Sequence, residues 1–461
     1  MIAARRLFWA FLPVAIAASG CATLPNVSET MREAPARKGP DRIVSARGLL
    51  SPATSKAIMG RLARSVDQTD VLARFTAVIE SVTGSPASKG NAVKLLIDGP
   101  ATYAAMFAAM ESARSDIDLE SYILDDDETG RRFADLLMRK RADGVRVHVI
   151  CDSLGSLATT AAFFERLRAA GIEVVEFNQT NPLKSRGKWG LLRRDHRKIL
   201  VVDGRVAIIG GINISQVYSS GPSLAGRPEG APVGWRDTDV QIEGPAAAEF
   251  RKLFLDTWRR QNGPSIPVPA GVPNRHDAGT ALVRALGSTP GETNRITFVA
   301  YVAAITFAQR SIHLTNAYFV PDAQILKAFT DAARRGVDVQ IILPSITDAS
   351  MVLSAQRYRY AELLESGVKI FERRNAVMHA KTAVIDGIWS TVGSTNMDYL
   401  SFLSNDEVNA VVLDRDFAAE MEETFARDLA ESNPIPRERW RKRPLGDRLS
   451  QWFAHLFFRW L

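Results

Sequence analysis

Two short segments of this chain carry the same reactive side chains at the same spacing. Each has a histidine, a lysine two positions later and an aspartate five positions after that: His196, Lys198 and Asp203, then His379, Lys381 and Asp386. Imidazoles serve as nucleophiles or general acid–base groups, and ammonium groups offset charge on phosphate oxygens. Two such sets supply what exchange or hydrolysis of a phosphodiester requires, so the pattern predicts that chemistry without a metal ion or cofactor.

A glycine-rich turn that ends in asparagine follows each set. The turns read Gly210-Gly211-Ile212-Asn213 and Gly393-Ser394-Thr395-Asn396. We expect both asparagines to act as neutral donors to phosphate oxygens, and Ser394 to add a hydroxyl in the second half only. On an extended strand, residues two positions apart point to the same face, so each lysine is expected beside its histidine.

The similarity between the halves extends upstream of the motifs. Apolar residues and a tyrosine recur there: Ala113, Ile117, Leu119 and Tyr122, then Ala308, Ile312, Leu314 and Tyr318. The two histidines lie 183 positions apart, which is the length of one ordinary domain. Strand-like and helix-like segments alternate in both halves. These features predict an internal duplication of an α/β unit.

The paired motif resembles the phospholipase D superfamily, and most closely the bacterial cardiolipin synthases. Three phrases resemble the synthase branch in particular: Tyr318-Phe319-Val320-Pro321-Asp322, Trp235-Arg236-Asp237 and Asn405-Asp406-Glu407. The resemblance implies two phospholipase D-like α/β/α sandwich domains, face to face around a pseudo-twofold axis. One active site at their interface would then contain both motifs.

The resemblance also implies roles for the residues. One imidazole attacks phosphorus and forms a phosphohistidine, and the other protonates the leaving group; we expect His196 to be the nucleophile and His379 the acid–base. Asp203 and Asp386 complete the motifs, and we interpret them as structural groups that orient the loop after the strand.

An attacking imidazole needs an acceptor on its other ring nitrogen, which fixes the tautomer. The family's pattern places Glu407 beside His379 and Asp237 beside His196, with Asp239 as the near alternative to Asp237.

Three functions are compatible with this chemistry. The resemblance favours transfer between two phosphatidylglycerol molecules to give cardiolipin and glycerol. A hydrolytic phospholipase D that releases phosphatidic acid is the first alternative, because the choice between alcohol and water depends on water exclusion. A nuclease is the second, but an exported, membrane-associated chain argues against a nucleic-acid partner.

The N-terminus predicts export. Arg5 and Arg6 precede an apolar stretch, Leu7–Ala18, that is too short to span a bilayer and leads into Ala18-Ser19-Gly20-Cys21. This end resembles a bacterial lipobox, so we expect a lipoprotein of the cell envelope, anchored through lipidated Cys21 and facing the periplasm or the exterior. A plain signal anchor is the alternative. With Cys21 lipidated, Cys151 is the only thiol left, and no internal disulfide is expected.

Composition shifts predict the domain organisation. We expect a signal peptide at 1–20; a tether to about Leu49 and then a helix to about Val82, within 21–90; domain 1 at 91–262; a linker at 263–279; domain 2 at 280–434; and a basic amphipathic tail at 435–461.

Two basic segments are candidates for contact with an anionic surface, which the net charge of +7 also fits. In the tail, apolar residues recur at helical spacing beside arginines: Leu449, Trp452, Phe453, Leu456, Phe457 and Trp460. This pattern is typical of a helix on anionic lipid, and a helix packed on its own domain is the alternative. The stretch Lys184–Arg194 is either a lip for the lipid headgroup or an ordinary loop.

Overall fold

The computed structural model describes residues 23–34, 42–65, 71–83, 86–179, 193–222, 233–267, 277–292 and 295–457. The predicted signal peptide with Cys21, most of segment 184–194 and part of the predicted linker lie outside these ranges. The described chain is α/β, as predicted. None of its helices has both the length and the apolar character needed to cross a bilayer.

The N-terminal segment is packed against the second half of the molecule. Its elements are α1 (Val27–Glu33), β1 (Ile43–Ser45), β2 (Gly48–Leu49), α2 (Pro52–Arg64) and α3 (Val71–Thr83). Val27, Phe75 and Ile79 are buried in the same apolar cluster as residues of the second half. The segment therefore differs from the prediction of a tether followed by a single helix, because its apolar side chains are buried against the second half.

The first half is one sheet with helices on its faces. Its elements are β3 (Ala87–Ile97), α4 (Asp98–Glu111), β4 (Asp116–Ser121), α5 (Glu128–Ala142), β5 (Arg146–Asp152), α6 (Ala161–Ala169), β6 (Glu173–Phe177), β7 (Arg194–Asp195), β8 (Lys198–Val202), β9 (Val206–Gly210), β10 (Thr238–Glu243) and α7 (Pro245–Arg260). The strand order is β6-β5-β4-β8-β9-β10-β3, with β4, β5 and β6 parallel and the other neighbours antiparallel.

The second half repeats this architecture. Its elements are β11 (Ala281–Ser288), α8 (Ile296–Phe307), β12 (Ser311–Thr315), α9 (Ala323–Arg334), β13 (Asp338–Pro344), α10 (Ser350–Ser366), β14 (Lys369–Arg373), β15 (Thr382–Ile385), β16 (Trp389–Gly393), a π-helix (Leu400–Ser404), β17 (Asn405–Leu413), α11 (Arg415–Ala430) and β18 (Ser432–Pro434). The order β14-β13-β12-β15-β16-β17-β11 matches the first half strand for strand, with β18 added beside β14.

The halves meet through strand pairing and a shared apolar core. Strand β3 pairs antiparallel with β11, so that Ala281 lies opposite Asn91. The core draws small and β-branched residues from both sheets: Ile199, Val201, Ile209 and Val240 from the first, and Val384, Val392 and Val408 from the second. Because β8 and β15 both contribute to this core, the histidines just before them come to the same interface.

The C-terminal tail forms α12 (Arg437–Arg441) and α13 (Leu445–His455). Helix α13 packs on α10, and its buried residues are Gln451 and Ala454. Leu449, Trp452 and Phe453 nevertheless remain exposed. The tail thus packs on its own half with one side, as one of the two expected arrangements requires, and presents an exposed apolar stripe on the other. Trp460 lies outside the described residues.

Candidate active site

His196 is held by the second half of the molecule. Strand β7 runs parallel to the start of β17, with Asp195 beside Asp406. The backbone N–H of His196 donates to the carbonyl of Asp406 at 2.9 Å. Its Nδ1 lies 3.1 Å from both carboxylate oxygens of Glu407, which is fully buried. The acceptor for His196 therefore comes from the other domain.

His379 is held by the first half in the same way. Arg236 and Met378 form a parallel bridge, and the N–H of His379 donates to the carbonyl of Arg236 at 2.8 Å. Nδ1 of His379 lies 2.7 Å from a carboxylate oxygen of Asp237. Each imidazole thus has a buried carboxylate partner from the opposite domain.

The predicted pairing of these carboxylates was wrong. Glu407 lies on His196 rather than His379, and Asp237 lies on His379 rather than His196. The reason is that the segment carrying each acid pairs with the strand that leads into the other half's motif. Asp239, the alternative partner for His196, instead accepts a hydrogen bond from the N–H of Ile212 at 3.1 Å.

Both motif lysines are buried beside their histidines, as the strand spacing predicted. Nζ of Lys198 donates to the carbonyl of His196 at 2.7 Å, and Nζ of Lys381 lies 2.9 Å from Nδ1 of His379. Burial lowers the pKa of Lys198 to about 7, against the opposing charge of Glu407. Burial likewise lowers the pKa of Lys381 to about 8. Binding of an anionic ligand would therefore raise the pKa of both lysines and favour their positively charged forms.

The two motifs act on each other electrostatically. Burial, followed by the charges of Lys198 and Lys381, holds the pKa of His196 well below its ordinary value. Burial and Lys381 also lower the pKa of His379. Burial raises the pKa of Glu407 to about 8; where its carboxylate is ionised, it accepts a hydrogen bond from Nδ1–H of His196. The other ring nitrogen then offers its lone pair, as a nucleophile requires.

The two asparagines are buried at corresponding places in the two halves. The amide oxygen of Asn213 accepts from the N–H of Ile123 at 3.1 Å, and its amide nitrogen donates to the Tyr218 hydroxyl at 3.1 Å. The amide oxygen of Asn396 has no hydrogen-bond partner among the described residues. No cluster of three or more His, Cys, Asp or Glu side chains in the described ranges is arranged to hold a metal ion.

The two turns differ at the position next to the carboxylates. The Ser394 hydroxyl donates to Glu407 and accepts from the N–H of Val408 at 3.0 Å. A Cβ atom on Gly211 would lie 2.3 Å from a carboxylate oxygen of Asp237, so that turn requires glycine. The Ser394 hydroxyl thus donates to one protein group and accepts from another. We therefore assign Ser394 to positioning Glu407 rather than to the predicted phosphate contact.

Asp203 and Asp386, the third members of the motifs, lie at the ends of β8 and β15 that are remote from the histidines. Asp203 accepts from the backbone N–H groups of Arg114, Ser115 and Asp116. Asp386 accepts in the same way from three consecutive residues, Gln309, Arg310 and Ser311. Each aspartate ties down the loop before the neighbouring strand, which agrees with the structural interpretation.

Aromatic rings around the histidines were not predicted as site residues. The Tyr122 ring lies 5.2 Å from the His196 ring, edge to face, and Tyr318 lies 6.1 Å from His379 in the same manner. The Trp235 ring lies 5.1 Å from that of His379, and the Tyr218 hydroxyl is 3.4 Å from its Nδ1. The recurrence of Tyr122 and Tyr318 in the repeat was the available signal.

Comparison with known proteins identifies the family and the repeat. The family model "Cardiolipin synthase, PLD-like domain" matches twice, at residues 106–220 and 301–429, which confirms the predicted repeat. A cardiolipin synthase from Geobacillus sp. (strain WCH70) is 34% identical over 375 residues, covering 81% of this chain and 73% of that protein. Cardiolipin synthase A from Pseudomonas putida (strain W619) is 36% identical over 356 residues, covering 77% and 71%.

The fold also matches a solved structure. The crystal structure of a phosphatidylserine synthase from Haemophilus influenzae Rd KW20 aligns with a TM-score of 0.57 at 14% identity. The alignment covers 80% of this chain and 95% of that one. At this identity the likeness establishes the fold alone, and it does so over both halves.

Proposed function

Because this chain is a phosphatidyltransferase of the cardiolipin synthase family, within the phospholipase D superfamily, we propose that it makes cardiolipin and glycerol from two phosphatidylglycerol molecules. The observation that carries the proposal is the pair of buried imidazoles, each held by a carboxylate of the opposite half. One imidazole serves as nucleophile and the other as acid–base, with two lysines for the phosphate.

The first step transfers the phosphatidyl group to the enzyme. The free ring nitrogen of His196 attacks phosphorus, and the bond from phosphorus to the glycerol oxygen breaks. His379, protonated once the phosphate anion offsets the nearby lysine charges, gives its proton to the departing oxygen. Lys198 and Lys381 stabilise the charge on the non-bridging oxygens. Glycerol leaves, and a phosphatidyl group remains on His196.

The second step releases the product. His379, now neutral, takes the proton from a hydroxyl of the second phosphatidylglycerol. That oxygen attacks phosphorus, the bond from phosphorus to His196 breaks, and cardiolipin leaves. With water in place of the alcohol, the same step would release phosphatidic acid. Limited access supports transfer, because only 11% of the His196 side chain and 5% of the His379 side chain are exposed.

The decisive experiment incubates the detergent-solubilised protein with phosphatidylglycerol vesicles and resolves the lipids by mass spectrometry. We expect cardiolipin and free glycerol in equal amounts. Phosphatidic acid without cardiolipin would instead identify a hydrolase. No lipid product, together with cleavage of single-stranded DNA, would identify a nuclease.

Two matched variants test whether both motifs form one site. His196→Ala and His379→Ala should each abolish cardiolipin formation, because the two imidazoles act in the same reaction. Circular dichroism and thermal unfolding of both variants control for misfolding. Substantial turnover in either folded variant would refute the shared site.

A further inference from the structure

Three exposed apolar side chains belong to loops that border the active site. They are Leu157, Val217 and Ile346, with exposed fractions between 39% and 65%. Each lies on a different loop, after β5, after the Asn213 turn and after β13 respectively. Single exposed apolar residues are ordinary on a protein surface, so their shared location is the informative feature.

Each of these loops contacts an aromatic residue whose ring lies against a catalytic histidine. The first passes so close to Tyr122 that a Cβ on Gly155 would lie 2.1 Å from the tyrosine carbonyl. In the second, the carbonyl of Val217 accepts from the N–H of Trp235 at 2.9 Å. The third carries Asp348, which accepts from the Tyr318 hydroxyl at 2.5 Å. The three apolar residues therefore lie on loops that pack around the two histidines.

Helix α13 is attached beside the same loops. Its buried Ala454 packs with Val320 and Val352, in a cluster that also includes Tyr318 and Ala349. The Tyr318 ring contacts the His379 ring, and Ala349 follows directly on the loop that carries Ile346. The C-terminal part of α13 thus lies within one layer of side chains of the active site.

The outer face of α13 is a continuous apolar stripe. Its members share one side of the helix and are 48–71% exposed: Leu445, Leu449, Trp452, Phe453 and Leu456. A contiguous exposed apolar surface that includes Trp and Phe is characteristic of an interaction site. We call this stripe, together with Leu157, Val217 and Ile346, the apolar rim.

The charges next to the apolar rim indicate which kind of surface it binds. Exposed basic residues dominate the chain entering α13 and its first turn: Arg437, Arg439, Arg441, Lys442 and Arg448. Only Glu438 and Asp447 oppose them between Pro436 and Phe457. Trp, Phe and Leu beside a cationic cluster match the boundary between acyl chains and anionic headgroups of a bilayer.

We propose that the apolar rim docks the loops around the active site onto an anionic phospholipid bilayer. The rim enters the acyl boundary, the basic residues contact the headgroups, and a lipid phosphate reaches the histidines without leaving the interface. This inference deepens the proposed function and rests on it for the identity of the substrate. The docking itself is tested separately, by binding.

The test is made in the full-length Cys21→Ser protein, in which the proposed lipid cannot hold the chain on the vesicle. It compares this parent with the same protein carrying Trp452→Ser/Phe453→Ser and with the same protein carrying Ile346→Ser. Sedimentation with phosphatidylglycerol vesicles measures binding, and cardiolipin formation is measured on vesicles and on monomeric dihexanoyl-phosphatidylglycerol. Losing two interfacial aromatic side chains should raise the lipid concentration for half-maximal binding about tenfold or more. Turnover should fall on vesicles and persist on the monomeric lipid, since the rim touches no reacting atom.

Leu49→Ser is the matched control. Leu49 is 61% exposed and lies beside the start of β3, about 30 Å along that strand from its site-proximal end. It should bind and turn over like the parent.

Equal vesicle binding by parent and rim variants would overturn the proposal, as would equal loss in Leu49→Ser. Equal binding to phosphatidylcholine vesicles would overturn the choice of an anionic surface. If no lipid is converted in either form, the proposed function fails, while the sedimentation result still decides the docking.

Discussion

At the scale of single residues, the site is defined by which carboxylate holds which imidazole. Nδ1 of His196 is 3.1 Å from Glu407, and Nδ1 of His379 is 2.7 Å from Asp237. An oriented, neutral imidazole attacks, and an imidazolium stabilised by its carboxylate donates a proton. We therefore expect that replacing each carboxylate with a neutral amide impairs a different step: attack on phosphorus for Glu407, and protonation of the leaving group for Asp237.

Glu407→Gln and Asp237→Asn test this difference. With a nitrophenyl phosphodiester, whose leaving group needs no proton, Asp237→Asn should still form the phosphohistidine. Glu407→Gln should form it roughly 10²–10⁴-fold more slowly, because the amide carries no negative charge and can donate to Nδ1 of His196, which favours the wrong tautomer. Rapid quenching and mass spectrometry of the trapped protein measure the rates. The reverse result would make His379 the nucleophile.

The lysines predict a pH dependence. Their cationic forms exist below pKa values of about 7 for Lys198 and about 8 for Lys381, so attraction for phosphate is lost as the pH rises through 7 to 8. We expect 1/KM for monomeric phosphatidylglycerol to fall across this range, whereas ionisation of Glu407, whose pKa is also about 8, affects the rate of attack by His196. Lys198→Arg should move the fall to higher pH, since guanidinium stays charged. A flat profile to about pH 9 would contradict this assignment.

At the scale of elements, the glycine-rich turns determine where the carboxylates of Asp237 and Glu407 lie relative to the sheets. Strand β9 ends at Gly210, and the next residue, Gly211, lies against Asp237. The equivalent residue in the second half, Ser394, holds Glu407 by its hydroxyl instead. The same turn thus positions one acid by close approach and the other by a hydrogen bond.

Gly211→Ala should therefore displace Asp237 and impair His379. We expect kcat for phosphatidylglycerol to fall about 10²-fold, a typical loss for a mispositioned acid–base group. Gly60→Ala on α2, where a Cβ meets only the Arg64 guanidinium at 3.4 Å, serves as the control. Unchanged kcat in folded Gly211→Ala would show that the turn does not determine the position of Asp237.

At the scale of the whole molecule, we propose two attachments to the membrane: a lipid on Cys21 and the apolar rim. The proposed lipid would hold the chain permanently, whereas the rim would orient the active site toward the bilayer. The sequence before Cys21 supports the first, and the exposed stripe of α13 supports the second.

Cys21→Ser separates the two attachments. In bacterial cells supplied with labelled fatty acid, the parent should incorporate label and the variant should not. The variant should keep only the weaker, salt-sensitive binding of the rim, because electrostatic contacts are screened by salt. Unchanged labelling, processing and membrane attachment in Cys21→Ser would exclude the lipobox.

Much of the fold and of the site was predictable from the sequence because each copy of the motif is formed by residues close together in the chain. The spacing from His196 to Lys198 and from His379 to Lys381 depends only on strand periodicity, and a duplicated motif predicts a duplicated α/β unit. Burial of apolar strands then brings the two copies together. The sequence by itself determined the fold class and the family, and it predicted the side chains that we propose as catalytic.

Only the tertiary structure decided how the halves share those groups. Sequence proximity placed Glu407 with His379 and Asp237 with His196, yet each acid reaches across the interface to the other histidine. The physical reason is that strand pairing between β7 and β17, and between Arg236 and Met378, is non-local. No spacing within one half encodes that pairing, and burial of the shared core between the two sheets fixes it.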